Sequence, residues 1–276
     1  MTQRKFARRA ALFDRPAVLF CPASRERAVA KAKDSGADMV IFDLEDAVAE
    51  ADKAAARDAA VAAVAEEWPM PVGIRMNAIG SPHHAADVAA LCGSAADFLV
   101  VPLVGCAEEI AAVAEKATQP VAAMVETARG VLAAPDIAKV AAMLIVGTND
   151  LAADLRLPSS SGRGAMSHAI QRVVLAARAR GVAVYDGVFN RIDDAEGFAE
   201  EAAESASLGF DGKTLIHPSH IAPCQEAFAP SDADIERAER MLAAAAERGG
   251  AINFEGEMVE EMHLASARRL LERAGH

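Results

Sequence analysis

Cysteine is scarce and scattered in this chain: four in 276 residues, at Cys21, Cys92, Cys106 and Cys224, with no C-x-x-C pair. That spacing argues against a disulfide framework and against a thiolate zinc site. It leaves four small apolar residues suited to a reducing compartment, so a cytoplasmic location is expected. Positive charge is short as well. The formal net charge is −12 and the isoelectric point about 5.1, whereas a nucleic-acid surface needs a basic face, so no nucleic-acid partner is expected. No apolar run is long enough to span a bilayer, and no membrane partner is expected. The basic opening MTQRKFARRAALF has an apolar part too short for a secretory signal before Asp14-Arg15-Pro16 interrupts it. There is no G-x-S-x-G elbow or Ser-His-Asp order, so nucleophilic hydrolysis lacks support. Gly162-Arg163-Gly164 is not a phosphate-binding glycine loop of either standard kind, and no internal repeat is visible.

What is present is apolar and periodic. Hydrophobic residues make up 53% of the chain, ample for one large core. Short apolar runs recur at 17–21, 39–44, 72–77, 98–103, 121–126, 142–147, 182–187 and 212–217. Ala-rich stretches with Glu, Lys and Arg on one face lie between them, for example at 49–67, 107–117, 165–180 and 195–208. Strand–helix alternation predicts a parallel sheet. About eight strands is the number a TIM (β/α)8 barrel requires. The fold expected is therefore an α/β TIM barrel over residues 1–222, followed by a C-terminal helical extension over 223–276. The extension reads as a helix at 232–248, a Gly249-Gly250 break and a final helix near 259–274. An appendage beyond a closed barrel must pack somewhere, and a neighbouring subunit of a homo-oligomer is the expected place.

The polar residues fall at the strand exits. Glu126 closes the fifth run, and Asn149 and Asp150 follow the sixth. Carboxylates at the exits of consecutive buried strands are costly unless a cation lies between them. Strand exits are also where ligands bind in parallel α/β proteins. Glu126 and Asp150 thus read as a divalent-metal pair. Asp43, Glu45 and Asp46 end the second run, Arg75 and Asn77 the third, and Asp186 the seventh. Arg75 within such an acidic ring would neutralise it or hold a substrate carboxylate bidentately. FDLEDAV (42–48) also fits helix N-cap carboxylates with salt bridges to Lys53 or Arg57. His217 and His220 could ligate a metal, although Pro218 at a strand exit favours a turn. His83-His84 read as a solvated helix start, and PSSSGRG (158–164) as a mobile active-site loop.

Taken together, Arg15 with LFCPAS (19–24), KAKDSGADMVIFDLEDAV (31–48), IRMN (74–77), VETARG (125–130), VGTNDLAADL (146–155), DGVF (186–189) and GFDGKTLIHPSHI (209–221) resemble the citrate lyase β-subunit-like family. This group includes the malyl-CoA and citramalyl-CoA lyases of the HpcH/HpaI aldolase superfamily. The resemblance runs in order along nearly the whole chain. It implies Mg2+ as cofactor, held by Glu126 and Asp150, and a CoA-thioester substrate with a small 2-oxo acid as co-product. By the same resemblance Arg75 holds the oxo acid or its developing oxyanion, Arg15 lies near the substrate or the CoA phosphates, and Gly147, Thr148 and Asn149 contact substrate. Asp43, with Glu45, is expected to order metal-bound waters. FEGEMVEEMHL (254–264) resembles a C-terminal element whose carboxylate enters a neighbouring subunit's site as general acid/base, which makes Glu260 that acid and a trimer or hexamer the expected assembly. Two positions depart from the family pattern. Leu103 stands where relatives commonly carry Lys, and Glu260 stands where they carry Asp. The activity implied is a Mg2+-dependent carbon–carbon lyase acting on a 3-hydroxyacyl-CoA. A citryl-carrier lyase, a thioesterase-like activity and a non-catalytic CoA-binding subunit are the alternatives.

Overall fold

The computed structural model describes residues 12–248 and 251–275. Eight parallel strands close into a barrel: β1 (Ala17–Pro22), β2 (Met39–Asp43), β3 (Val72–Arg75), β4 (Phe98–Val101), β5 (Val121–Val125), β6 (Met143–Val146), β7 (Ala183–Asp186) and β8 (Gly212–Leu215). β8 closes on β1 through Ala17↔Lys213, Val18↔Thr214 and Leu19↔Leu215. The helices between successive strands are α1 (Glu26–Lys33), α2 (Lys53–Ala63), α3 (His84–Leu91), α4 (Ala107–Ala114) and α5 (Ala128–Val140). Two helices, α6 (Thr148–Asp154) and α7 (Ser167–Arg178), follow β6, and α8 (Ala195–Ser207) leads into β8. The TIM barrel expected from the alternation is the fold observed.

Alternation along each strand decides what enters the barrel. Val18, Met39, Ile41, Phe98, Val100, Met124, Met143, Ile145 and Tyr185 point inward and fill it. Gly73 is required by this filling, because a Cβ there would collide with the Phe98 ring. The same parity carries Asp43 and Arg75, register partners on β2 and β3, to the inner face at its C-terminal rim.

The chain divides into two compact units after Ala227 rather than after residue 222. Helix α9 (Ile221–Phe228) belongs largely with the barrel because it is tied to it: Cys224 Sγ donates to Pro16 O at 3.3 Å, and Gln225 Nε2 to Gly36 O at 3.0 Å. The second unit holds α10 (Asp232–Arg248), a hairpin of β9 (Ile252–Phe254) and β10 (Glu257–Val259), and α11 (Glu261–Ala274). The hairpin was not expected from sequence. It turns through Glu255 and Gly256, with φ of 53° and 87°, the backbone that a two-residue hairpin turn requires. Its pairing occupies Val259, so the final helix starts at Glu261 and not near residue 259. Ala238, Met241, Ile252, Phe254, Val259, Leu264 and Ala267 form this unit's own core. The Gly249-Gly250 break lies outside the described residues. Among the described residues no helix is long and apolar enough to cross a membrane.

Candidate active site

A cavity of about 400 Å³ opens at the C-terminal rim of the barrel, lined among others by Asp43, Asp46, Arg75, Glu126, Asn149 and Asp150. Glu126 immediately follows β5 and is 1% exposed. Its Oε1 accepts the Leu103 N–H at 2.6 Å, while its Oε2 is buried with no hydrogen-bond partner. Gly147 makes room for that oxygen, since a Cβ at 147 would collide with Oε2. Asp150, in the first turn of α6, sets its carboxyl against that of Glu126. Burial, with Asp150 adding to it against the opposing Leu103 amide, pushes the Glu126 carboxyl up to about 7. Burial and then Asp46 raise that of Asp150.

Asp43, Glu45, Asp46, Glu126 and Asp150 share this rim with Arg75 as their common cation. An orphaned buried carboxylate oxygen beside a second carboxylate is what a hard divalent cation stabilises. Among the described residues no cluster of three or more His, Cys, Asp or Glu is arranged to hold a metal. The two carboxylates suit an ion such as Mg2+, which takes one or two carboxylates and fills its remaining positions with water or substrate oxygen. The residues present fit such an ion.

Arg75 is held more firmly than the sequence suggested. Its Nε and NH2 donate to Asp43 Oδ1 and Oδ2 at 2.7 and 2.6 Å, a two-point fork. Asp43 also accepts the Glu45 and Ala47 amides at 2.9 and 3.0 Å, so both its oxygens are saturated. Burial alone would raise the Asp43 carboxyl, but Arg75 and these amides bring it below its ordinary value. Asp43 is thus a clamp on Arg75 and is not free to order metal-bound waters. The third nitrogen, NH1, meets Glu45 at 2.9 Å and Asp46 at 3.2 Å, and the Phe20 ring lies 4.9 Å from the guanidinium carbon. Burial foremost raises the Glu45 carboxyl to about 8.

Other expectations fare differently. Lys53 and Arg57 do not pair with Asp46: Lys53 Nζ donates to Leu44 O, Glu45 O and Asn77 Oδ1 at 3.0, 2.9 and 2.7 Å, and Arg57 pairs with Asp87 at 2.7 Å. Thr148 and Asn149 line the cavity with Gly147. Arg15 does not. It stands two positions before β1, at the N-terminal face, where its charge reaches Tyr185 together with those of Asp211, Asp14 and Asp38. The cation that lines the cavity from the β1 exit is Arg25, N-cap of α1, which the sequence reading passed over in SRERA. Asn190 was missed too; it exchanges two side-chain amide hydrogen bonds with Asn149, at 2.6 and 3.2 Å.

Asp186 leaves the acidic ring. Tyr185 takes the inward parity on β7, so Asp186 faces the helices, buried against Lys213 at 2.8 Å, Ser205 at 2.5 Å and Arg163 at 2.9 Å. The 158–164 segment is anchored through that Arg163 contact and another to Glu204 at 3.0 Å. His217 accepts from Ser219 N in a one-turn cap, and His220 stacks on Phe198 at 4.1 Å. His84 reaches Asn77 O at 2.9 Å, and His83 meets Glu50 at 2.6 Å. In the second unit Glu260 is exposed and caps α11: its side chain accepts the His263 N–H, and His263 Nδ1 accepts the Glu260 N–H at 3.0 Å.

Comparison with known proteins agrees with this geometry. The family model described as HpcH/HpaI aldolase/citrate lyase matches residues 16–218. A (3S)-malyl-CoA thioesterase of Cereibacter sphaeroides is 40% identical over 266 residues, 93% of each chain. A citrate lyase subunit beta-like protein of Mycobacterium tuberculosis is 40% identical over 267 residues, 94% of this chain and 96% of that one. The crystal structure of protein CitE from Mycobacterium tuberculosis in complex with magnesium, acetoacetate and coenzyme A superposes with a TM-score of 0.85 at 39% identity. That match covers 97% of this chain and all (100%) of the other.

Proposed function

The chain belongs to the HpcH/HpaI aldolase/citrate lyase family, and from that premise we propose that it cleaves or forms a 3-hydroxyacyl-CoA such as malyl-CoA or citramalyl-CoA, exchanging it for an acyl-CoA and a 2-oxo acid. The enzyme is a CoA-ester lyase, and Mg2+ is its cofactor. The observation that carries the reading is the partnerless buried oxygen of Glu126 beside Asp150, in one cavity with the clamped Arg75. Glu126 and Asp150 would hold the metal. When bound, Mg2+ supplies Lewis acidity toward the oxygen that gains charge as the carbon–carbon bond breaks.

The chain's own groups do the rest. Asp43 fixes Arg75 through two of its nitrogens, which leaves NH1 to meet the oxo-acid carboxylate or the developing oxyanion in place of Glu45 and Asp46. Cleavage passes the hydroxyl proton to solvent, breaks the C2–C3 bond and leaves an acyl-CoA enolate that must take a proton at C2. Glu260, supplied by a neighbouring subunit of a homo-oligomer, is the proposed donor. Arg25 at the cavity edge offers a cation to the phosphates of the CoA arm.

Hydrolysis of the same thioester is the second reading, favoured by the relative named (3S)-malyl-CoA thioesterase. One experiment separates the two. The protein is incubated with Mg2+ and a panel of 3-hydroxyacyl-CoAs, with products resolved by mass. Acyl-CoA plus 2-oxo acid, lost in EDTA and in Glu126→Gln, is the expected result. Free CoA plus the 3-hydroxy acid would establish hydrolysis instead. Turnover by Glu126→Gln at the wild-type rate, with unchanged Mg2+ dependence, would refute the ligand assignment.

A further inference from the structure

Leu103 sits in an unfavourable backbone for its type. Its φ is +52°, in the left-handed region, where an L-residue other than Gly, Asn or Asp crowds its Cβ against the following carbonyl. Its side chain gives little in return, being 44% exposed at the exit of β4. Strain held without packing reward calls for another contact that rewards it. The Leu103 N–H makes that contact: it donates to Glu126 Oε1 at 2.6 Å, a short charge-assisted bond, and that carboxylate's other oxygen is the buried one without a partner.

We infer that Leu103 is a positioning residue of the metal site, acting through its backbone: the left-handed turn aims its amide at one Glu126 oxygen and so presents the other, alone, to the cation. This rests on Glu126 being a metal ligand. The chain on either side keeps the turn in place. Val101 is the last residue of β4, and the Val104 amide donates to Met124 O at 3.2 Å on β5, so residue 103 cannot swing without breaking a bond on its C-terminal side. The amide satisfies Oε1 directly, leaving Oε2 as the oxygen that would meet the cation. A ligand whose partner atom is held by a neighbouring donor keeps its orientation when the metal leaves.

The test compares residues by their tolerance of a left-handed backbone, not by size or polarity. Gly and Asn adopt it readily, Ala less so, and β-branched Val least. Mg2+ affinity of the purified full-length protein is measured by calorimetry for Leu103→Gly, Leu103→Asn, Leu103→Ala and Leu103→Val, with thermal midpoints taken in EDTA. Gly and Asn are expected to bind within about threefold of wild type, and Val about tenfold or more weaker, the usual loss when a ligand's supporting hydrogen bond is removed. Ala should fall between, and it carries the comparison if Val does not fold. In EDTA, Gly should melt no lower than wild type, because it releases the strain. Equal Mg2+ affinity across all variants would overturn the inference, as would Gly binding as weakly as Val, which would transfer the role to the side chain. Wild-type protein that binds no Mg2+ at all would instead overturn the metal reading of Glu126 itself.

Discussion

Arg75 shows how much a single residue is asked to do at this rim. A guanidinium has five donors in a rigid plane, and here two of its nitrogens are spent on Asp43, which leaves one nitrogen for the cavity. Lysine has the charge but not the fork, so it can hold Asp43 or reach substrate, and not both. Arg75→Lys should therefore lower turnover on the order of 100-fold, the scale of removing one positioned oxyanion donor. It should also lower stability, since Asp43 is 2% exposed and loses a two-point partner. Steady-state kinetics beside a urea melt measures both, and a Lys variant within a few-fold of wild-type kcat would sink the role. Residues of this kind were only half legible in the sequence. Asp43 and Asp186 look alike there, each an acid closing an apolar run. They differ in parity: Asp43 follows the inward Met39 and Ile41 by even steps, whereas Asp186 follows the inward Tyr185 by one and faces the helices. Arg15 was misplaced for a related reason. Motif spacing does not say at which end of the strand a residue stands, and β1 begins only at Ala17.

Between residues and the barrel stand the loops that aim them. The loop after β2 carries Glu45 and Asp46 and follows Asp43, and its anchor is Lys53 at the start of α2. Lys53 is 8% exposed, and its ammonium is satisfied by two loop carbonyls and Asn77. Asn77 in turn donates twice to Asp87, through N at 2.8 Å and Nδ2 at 2.7 Å, and Asp87 holds Arg57. The network joins the exits of β2 and β3, the two strands whose last residues are Asp43 and Arg75. Lys53→Met keeps the aliphatic stem but leaves Leu44 O and Asn77 Oδ1 buried without that donor, while Glu45 O keeps the Val48 N–H at 3.1 Å, so a loss of about 2–4 kcal/mol is expected. Turnover should fall with it as Arg75 loosens, with Lys53→Arg recovering part of both. A Met variant that melts in urea at the wild-type midpoint would show that the loop is held some other way. Strands and helices as elements were well legible, because eight alternations of apolar run and amphipathic segment constrain one another. The β9–β10 hairpin was not: three-residue strands are too short for periodicity to register, and the Glu255-Gly256 turn was its one local signal.

At the scale of the whole molecule, Glu126 and Asp150, the proposed metal pair, lie in one compact unit and Glu260 in the other. The large apolar side chains around Glu260 divide into buried and exposed. Leu264 is buried in its unit's own core and Leu271 packs against that core, which leaves Met258 and Met262, 72% and 64% exposed, on either side of Glu260. Two large exposed apolar side chains flanking a carboxylate fit a surface covered by another subunit. Within its own chain Glu260 also occupies the N-cap of α11. The capping sets which substitution is informative. Ala would remove the cap and cost about 1 kcal/mol of helix stability, whereas Glu260→Gln keeps a capping oxygen and removes only the ionisable group. We expect Glu260→Gln to be folded and nearly inactive. Its chains are then mixed with inactive Glu126→Gln chains under conditions that exchange subunits, the exchange being verified by mass. If Glu260 works across an interface, some mixed sites combine an intact metal pair from one chain with an intact acid from its neighbour, and activity returns. If it works within its own chain, every site keeps one lesion and mixing restores nothing. Full activity in Glu260→Gln alone would remove it from the chemistry and return it to the helix it caps.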